Sequence, residues 1–237
     1  MPGHRGNRPT GQPRLTRNAT STMIKKAVRR AFFMNDSVWA VIRRHHAWFT
    51  IAKIDPSFFT PVLFLAKLLE EFGEYAEAQA GAVNPKTGAA YNIEDVSHEL
   101  CDVIITSLMG LRALVEDPEV CYARYETGSD AQRLAATVSA PTLLTVLAVA
   151  IGRVGDAVCA VTGFTPRKGV YGDTAHFAGR LCAVAYTARL GLGLLLENPE
   201  ALLAAHLEHG EARRLAAQAP LPPNGPSPSP AHRGSPR

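Results

Sequence analysis

The chain has 237 residues, enough for one large domain or two small ones with a substantial core. Its formal charge of +4 comes from the ends, since residues 1–35 carry eight Lys/Arg and residues 219–237 carry two Arg, neither with an acid. Between Asp36 and Gln218, 15 Lys/Arg face 21 Asp/Glu, and so acidic a body argues against a nucleic-acid-binding domain, because phosphate contacts need clustered Lys/Arg.

Residues 1–34 read as a basic N-terminal extension. The first 22 are rich in Arg, Pro, Gly, Asn and Thr and are expected to be disordered. Lys25–Phe33 has the character of a helical lead-in, and Met23 and Met34 are alternative starts. No apolar segment followed by a small-residue cleavage site marks a signal peptide. From Asp36 onward apolar residues recur at i, i+3 and i+4, while strand-like alternation is absent, so the expected class is all-α. The first helical segment, Val38–Phe49, groups Trp39, His45, His46 and Trp48. His46 and Trp48 are candidates to touch a ligand; Trp39 and Phe49 suit a core equally well.

The segment that follows carries Glu71-Phe-Gly-Glu74 and, after a spacer of 24 residues, Glu99-Leu-Cys-Asp102. Residues three apart share a helix face, so each pair aims two carboxylates one way. Two such helices packed antiparallel would converge all four. Like charges gathered in this way need a cation, and an all-oxygen donor set suits Mg²⁺ or Mn²⁺. The expected metal ligands are therefore Glu71, Glu74, Glu99 and Asp102. A solvated acidic face is the ordinary explanation for either motif alone.

Further along the chain, Asn92 and Asp173 are expected N-caps of two long helices, and Asp117-Pro118-Glu119 and Asn198-Pro199-Glu200 mark two more helix starts. The apolar run Val138–Gly152 is interrupted by Pro141 and by Thr residues and reads as too short to span a bilayer. Cys101, Cys121, Cys159 and Cys182 lack CxxC spacing and read as buried thiols of a reducing, cytoplasmic protein. Residues 219–237 read as a disordered Pro/Ser-rich tail.

The helix signals recur as an internal repeat. Leu65–Glu74 aligns with Leu147–Asp156 at an offset of about 82, including Gly73 with Gly155. Glu99-Leu-Cys-Asp-Val103 aligns with Arg180-Leu-Cys-Ala-Val184, and Gly110 with Gly191. Pro85–Gly88 corresponds to Pro166–Gly169 and the Pro118 helix start to that of Pro199. The expected organisation is two duplicated helical units, residues 35–136 and 137–218, acting as a pseudo-dimer within one chain. The second copy replaces Glu71, Glu99 and Asp102 with Arg153, Arg180 and Ala183, so it is expected to be structural and the metal site single.

ExxE and ExxD across such a spacer, within an all-α chain, resemble the MazG-like nucleoside triphosphate pyrophosphohydrolases, the superfamily of the all-α dUTPases and dCTPases. The likeness runs directly from Asp36 to about Leu114. His46-Ala-Trp-Phe49 is similar to a dCTPase-type segment whose His contacts the base. The resemblance implies Mg²⁺-dependent cleavage of a (d)NTP to (d)NMP and pyrophosphate for nucleotide-pool house-cleaning. It also implies that Glu71 or Glu74, or the neighbouring Glu70, serves the attacking water. The family's phosphate-binding cations downstream of ExxD are not matched here; Lys86, Arg153 and Arg180 are candidates to replace them. Arg153 and Arg180 could instead neutralise the carboxylates, leaving a catalytically inactive nucleotide-binding or interaction scaffold. The expected partner is a nucleoside triphosphate, with no nucleic acid and no membrane, in a monomer or homo-oligomer.

Overall fold

Helix is the structure of 79% of the described residues in this computed structural model, which describes residues 36–51, 60–84, 87–165 and 169–218 with Met34 and Arg167. The N-terminal extension before Met34, the Pro/Ser-rich tail and Lys86 lie outside the described residues. Among the described residues eight helices follow in order: α1 (Asp36–Ile51), α2 (Pro61–Gln79), α3 (Ile93–Leu114), α4 (Pro118–Glu126), α5 (Ser129–Thr137), α6 (Leu143–Thr162), α7 (Thr174–Leu195) and α8 (Pro199–Gln218). Among the described residues the one β-type pairing is an isolated bridge, Val83 with Ala90, in the α2–α3 loop.

The helix boundaries follow from local chemistry. Thr60 caps α2 by accepting from the Leu63 N–H, with Pro61 in the first turn where its missing donor costs nothing. Asn92 opens α3 with a full capping box, accepting from the Asp95 N–H while Asp95 accepts from the Asn92 N–H at 2.8 Å. Asp173 caps α7 through the His176 N–H at 2.7 Å. Asp117 makes no side-chain cap bond, so Pro118 alone carries the expected start of α4. Gly163 ends α6 with φ of 66°, a left-handed conformation that favours glycine.

The two longest helices, α3 and α7, form the centre of the molecule and pack on each other. Around them α3 meets α1, α2 and α8, while α7 meets α4, α5 and α6; α2 and α6 also touch. Leu100, Val103, Ile104, Leu108 and Leu111 of α3 are fully buried, as are Val184, Ala185, Ala188 and Leu192 of α7. Burying a Leu or Ile contributes about 1.5–3 kcal/mol, so this seam dominates the packing.

Glycines set how closely the two helices approach. A Cβ on Gly110 would stand 3.1 Å from Leu181 Cδ1, and one on Gly191 would stand 3.3 Å from Leu100 Cδ1. The contact at one end of the seam therefore has its counterpart at the other, and α3 and α7 run antiparallel. Gly110 also faces Phe64 of α2. Glu126 of α4 and Arg189 of α7 form an ion pair beneath the surface, with Arg189 side-chain exposure at 3%.

The apolar run around residue 150 differs from expectation. Pro141 and Thr142 lie in the turn ahead of α6, so they do not interrupt it. The helix itself runs 20 residues at a mean hydropathy of 1.8, long and apolar enough to cross a membrane by length and composition. In the bundle, its Leu147, Ile151, Val154 and Val158 are buried. All four cysteines are free; Cys101 and Cys182 are buried, Cys121 and Cys159 half-buried.

Candidate metal centre

Glu71 and Glu74 sit on successive turns of α2, and Glu99 and Asp102 on successive turns of α3. Phe64 against Gly110 and Glu74 against Glu99 mark the two helices as antiparallel. Their facing surfaces bring Glu71, Glu99 and Asp102 together, while Glu74 falls outside that group of three. Ligand oxygens of Glu71, Glu99 and Asp102 lie within 4.8 Å of one another, and Glu74 is close enough to Glu99 for its charge to raise the Glu99 carboxyl. Oxygens bound to one Mg²⁺ or Mn²⁺ at about 2.1 Å stand no more than about 4.2 Å apart, so a modest contraction would close them on an ion.

The electrostatics are those of an under-neutralised cluster. Burial pushes the Glu99 carboxyl up to about 7, and the charges of Glu74, Asp102 and Glu71 push the same way. Glu99 Oε2 is buried with no hydrogen-bond partner, an arrangement that costs free energy unless something unseen fills it. Glu71, also buried, is raised chiefly by burial, against the opposing bond from Lys67. Lys67 stands 2.7 Å from Glu71 and 3.1 Å from Glu70. Tyr91, just before α3, has its phenol raised by burial and by Glu99, Glu77, Glu74 and Asp95. An oxygen-only donor set, an orphaned buried oxygen and excess negative charge all fit a hard divalent cation.

Two histidines join this cluster from outside the motifs. His206 of α8 places Nε2 2.8 Å from Asp102 Oδ1. His98 of α3 lies against it, ring centroids 5.2 Å apart. Neither was anticipated from the motif spacing. The signal for His206 was nevertheless present. Leu203 and Leu207 define the buried stripe of α8, and residue 206 falls on the same face, where a polar side chain needs a partner.

The remaining predicted residues are not gathered in the same way. Arg153 is exposed on α6, and Arg180 of α7 acts on Tyr125 of α4. Among the described residues neither forms an ion pair with the four carboxylates, whose basic partners there are Lys67 and His206. His46 of α1 is half-buried, and burial together with the charge of Arg112 lowers its pKa. Arg112 is ten residues beyond Asp102 on α3, about 15 Å of helix rise. The side chain of Trp48, like Lys86, lies outside the described residues.

No protein-family model, no curated protein and no solved structure matches this chain.

Proposed function

We propose that the chain is a divalent-metal-dependent nucleoside triphosphate pyrophosphohydrolase of the MazG-like kind, producing a nucleoside monophosphate and pyrophosphate. The observation that carries this reading is the convergence of Glu71, Glu99 and Asp102 from two antiparallel helices, with the charge of Glu74 beside Glu99. Glu71, Glu74, Glu99 and Asp102 would hold Mg²⁺ or Mn²⁺. Bound there, such an ion would polarise phosphate oxygens and lower the pKa of water. Glu71 or Glu74 accepts the proton of the attacking water at a carboxylate oxygen. Lys67 supplies positive charge beside the polyphosphate, and His46, Trp48, Lys86, Arg153 and Arg180 are the proposed further substrate contacts.

The duplication belongs to the same proposal. Gly81, Gly88, Gly163 and Gly169 all have φ between 63° and 71°, and the first two match the last two at the offsets of the repeat. The reciprocal pairing of Gly110 with Leu181 and Gly191 with Leu100 is the pattern a two-fold axis produces. Both support two copies of one helical unit.

A second reading is favoured by the ion pairs already present. Lys67 pairs with Glu71, and His206 already occupies one oxygen of Asp102, as a catalytically inactive binding or interaction scaffold would require. Pyrophosphate release from a panel of NTPs and dNTPs, with Mg²⁺ or Mn²⁺, separates the two. The expected result is release from at least one nucleotide, falling by about 100-fold or more in Glu74→Gln, the scale on which a positioned acid–base group contributes. A panel without release above blank would overturn the enzymatic reading.

A further inference from the structure

The helix that reaches the carboxylate cluster from farthest along the chain is α8. Its His206 is 104 residues from Asp102, with a side chain only 15% exposed. Asp102 itself has a side chain 36% exposed, so nothing in its burial alone restricts how the carboxylate turns. The oxygens within 4.8 Å of one another come from Glu71, Glu99 and Asp102. His206 is joined to that group through Asp102, as a neighbour that orients a ligand.

We propose that His206 is a positioning residue of the metal centre, donating its Nε2–H to Asp102 Oδ1 and thereby holding that carboxylate toward Glu71 and Glu99. His98 supports it from the side, with ring planes 33° apart and centroids 5.2 Å apart. Partners of this kind reduce the orientations a ligating carboxylate samples, and their loss weakens metal binding by about 10–100-fold. The inference rests on the metal-centre reading above. It gives the C-terminal half a share in the site, since the first half's ExxD motif is completed by a side chain that its own helices do not provide.

The test measures the metal alone. Mn²⁺ and Mg²⁺ binding to the full chain is followed by titration calorimetry for wild type, His206→Met and His206→Gln. Both replacements are near histidine in size, but only Gln keeps an N–H able to reach Oδ1. His206→Met is expected to bind about 10–100-fold more weakly, and His206→Gln within about threefold of wild type. Melting in chelator is expected to shift similarly for the two variants, because a purely structural role would depend on size and not on the donor. Equal metal affinity in the Met and Gln variants, with wild type binding normally, overturns the role of His206 and leaves the metal centre standing. Absence of binding to wild type overturns both.

Discussion

Glu99 is the residue on which the chemistry of the cluster turns. Its carboxyl is raised from 4.5 to about 7 by burial and by three neighbouring acids. The folded protein therefore keeps a proton that the unfolded chain releases, and stability contributed by that proton is present below pH 4.5 and lost as pH rises to about 7. In chelator, the melting temperature should fall across that window; millimolar Mg²⁺, which binds the ionised form, should remove most of the fall. Glu126, buried beside Arg189 and also raised to about 7, falls in the same window. The comparison is therefore made against Glu99→Gln, which should flatten only the metal-sensitive part. A melting temperature in chelator that rises through the window would show that the acids do not repel. At this scale the sequence was legible where side chains act at fixed helical spacing, as for Glu71 with Glu74 and Glu99 with Asp102. The pairings of Lys67 with Glu71 and of His206 with Asp102 were not legible, because a Lys on an acidic helix is ordinary on its own and the stripe of α8 shows that His206 needs a partner without naming it. Only tertiary packing gives His206 its partner.

Among the elements, α3 and α7 rest on small residues at their crossing. Gly191→Ala would place a Cβ 2.6 Å from Leu143 Cδ2 and 3.3 Å from Leu100 Cδ1. Overpacking of this kind costs about 1–3 kcal/mol, more than offsetting most or all of the about 1 kcal/mol that Ala gains over Gly in a helix. Gly152→Ala on α6 meets nothing within 4 Å and is exposed, so the propensity gain stands alone. Denaturant unfolding should show Gly191→Ala neutral to destabilised by up to about 2 kcal/mol and Gly152→Ala stabilised by about 0.5–1 kcal/mol. The helices themselves were readable from their caps: Asn92, Asp173 and Asn198 each accept a backbone N–H where expected. The extent of α6 was not readable from the apolar run, because Pro141 and Thr142 look like an interruption when their position ahead of the helix is unknown.

Across the whole molecule, the buried pair Glu126–Arg189 ties α4 to α7, and Arg189 Nη2 also lies 3.9 Å from Glu200 at the start of α8. Removing one member of a buried pair leaves the other charge without compensation, at a cost of about 3–5 kcal/mol, whereas replacing both with apolar residues is often neutral. Arg189→Met should therefore lower unfolding free energy by about 3–5 kcal/mol, and Glu126→Leu combined with it should restore most of the loss. Equal destabilisation by the single and double variants would mean that Arg189 acts through packing, with its charge irrelevant. The all-α class was legible because periodicity is a property of each segment by itself. This ion pair was not, since Glu126 and Arg189 are separated by 63 residues and carry no local signature.

The exchange of contacts between Gly110 with Leu181 and Gly191 with Leu100 has a consequence for synthesis on the ribosome. The apolar face of α3 leaves the exit tunnel dozens of residues before α7 does. Until then the part of its cover that α7 supplies does not exist, and Leu100, which packs at Gly191, is open to water or to a chaperone. Since domains emerge N-terminal first and exposed apolar surface promotes aggregation, a ribosome stalled between α4 and α6 would hold a chain that already carries all four acids but lacks the helix that closes the α7 side of its core.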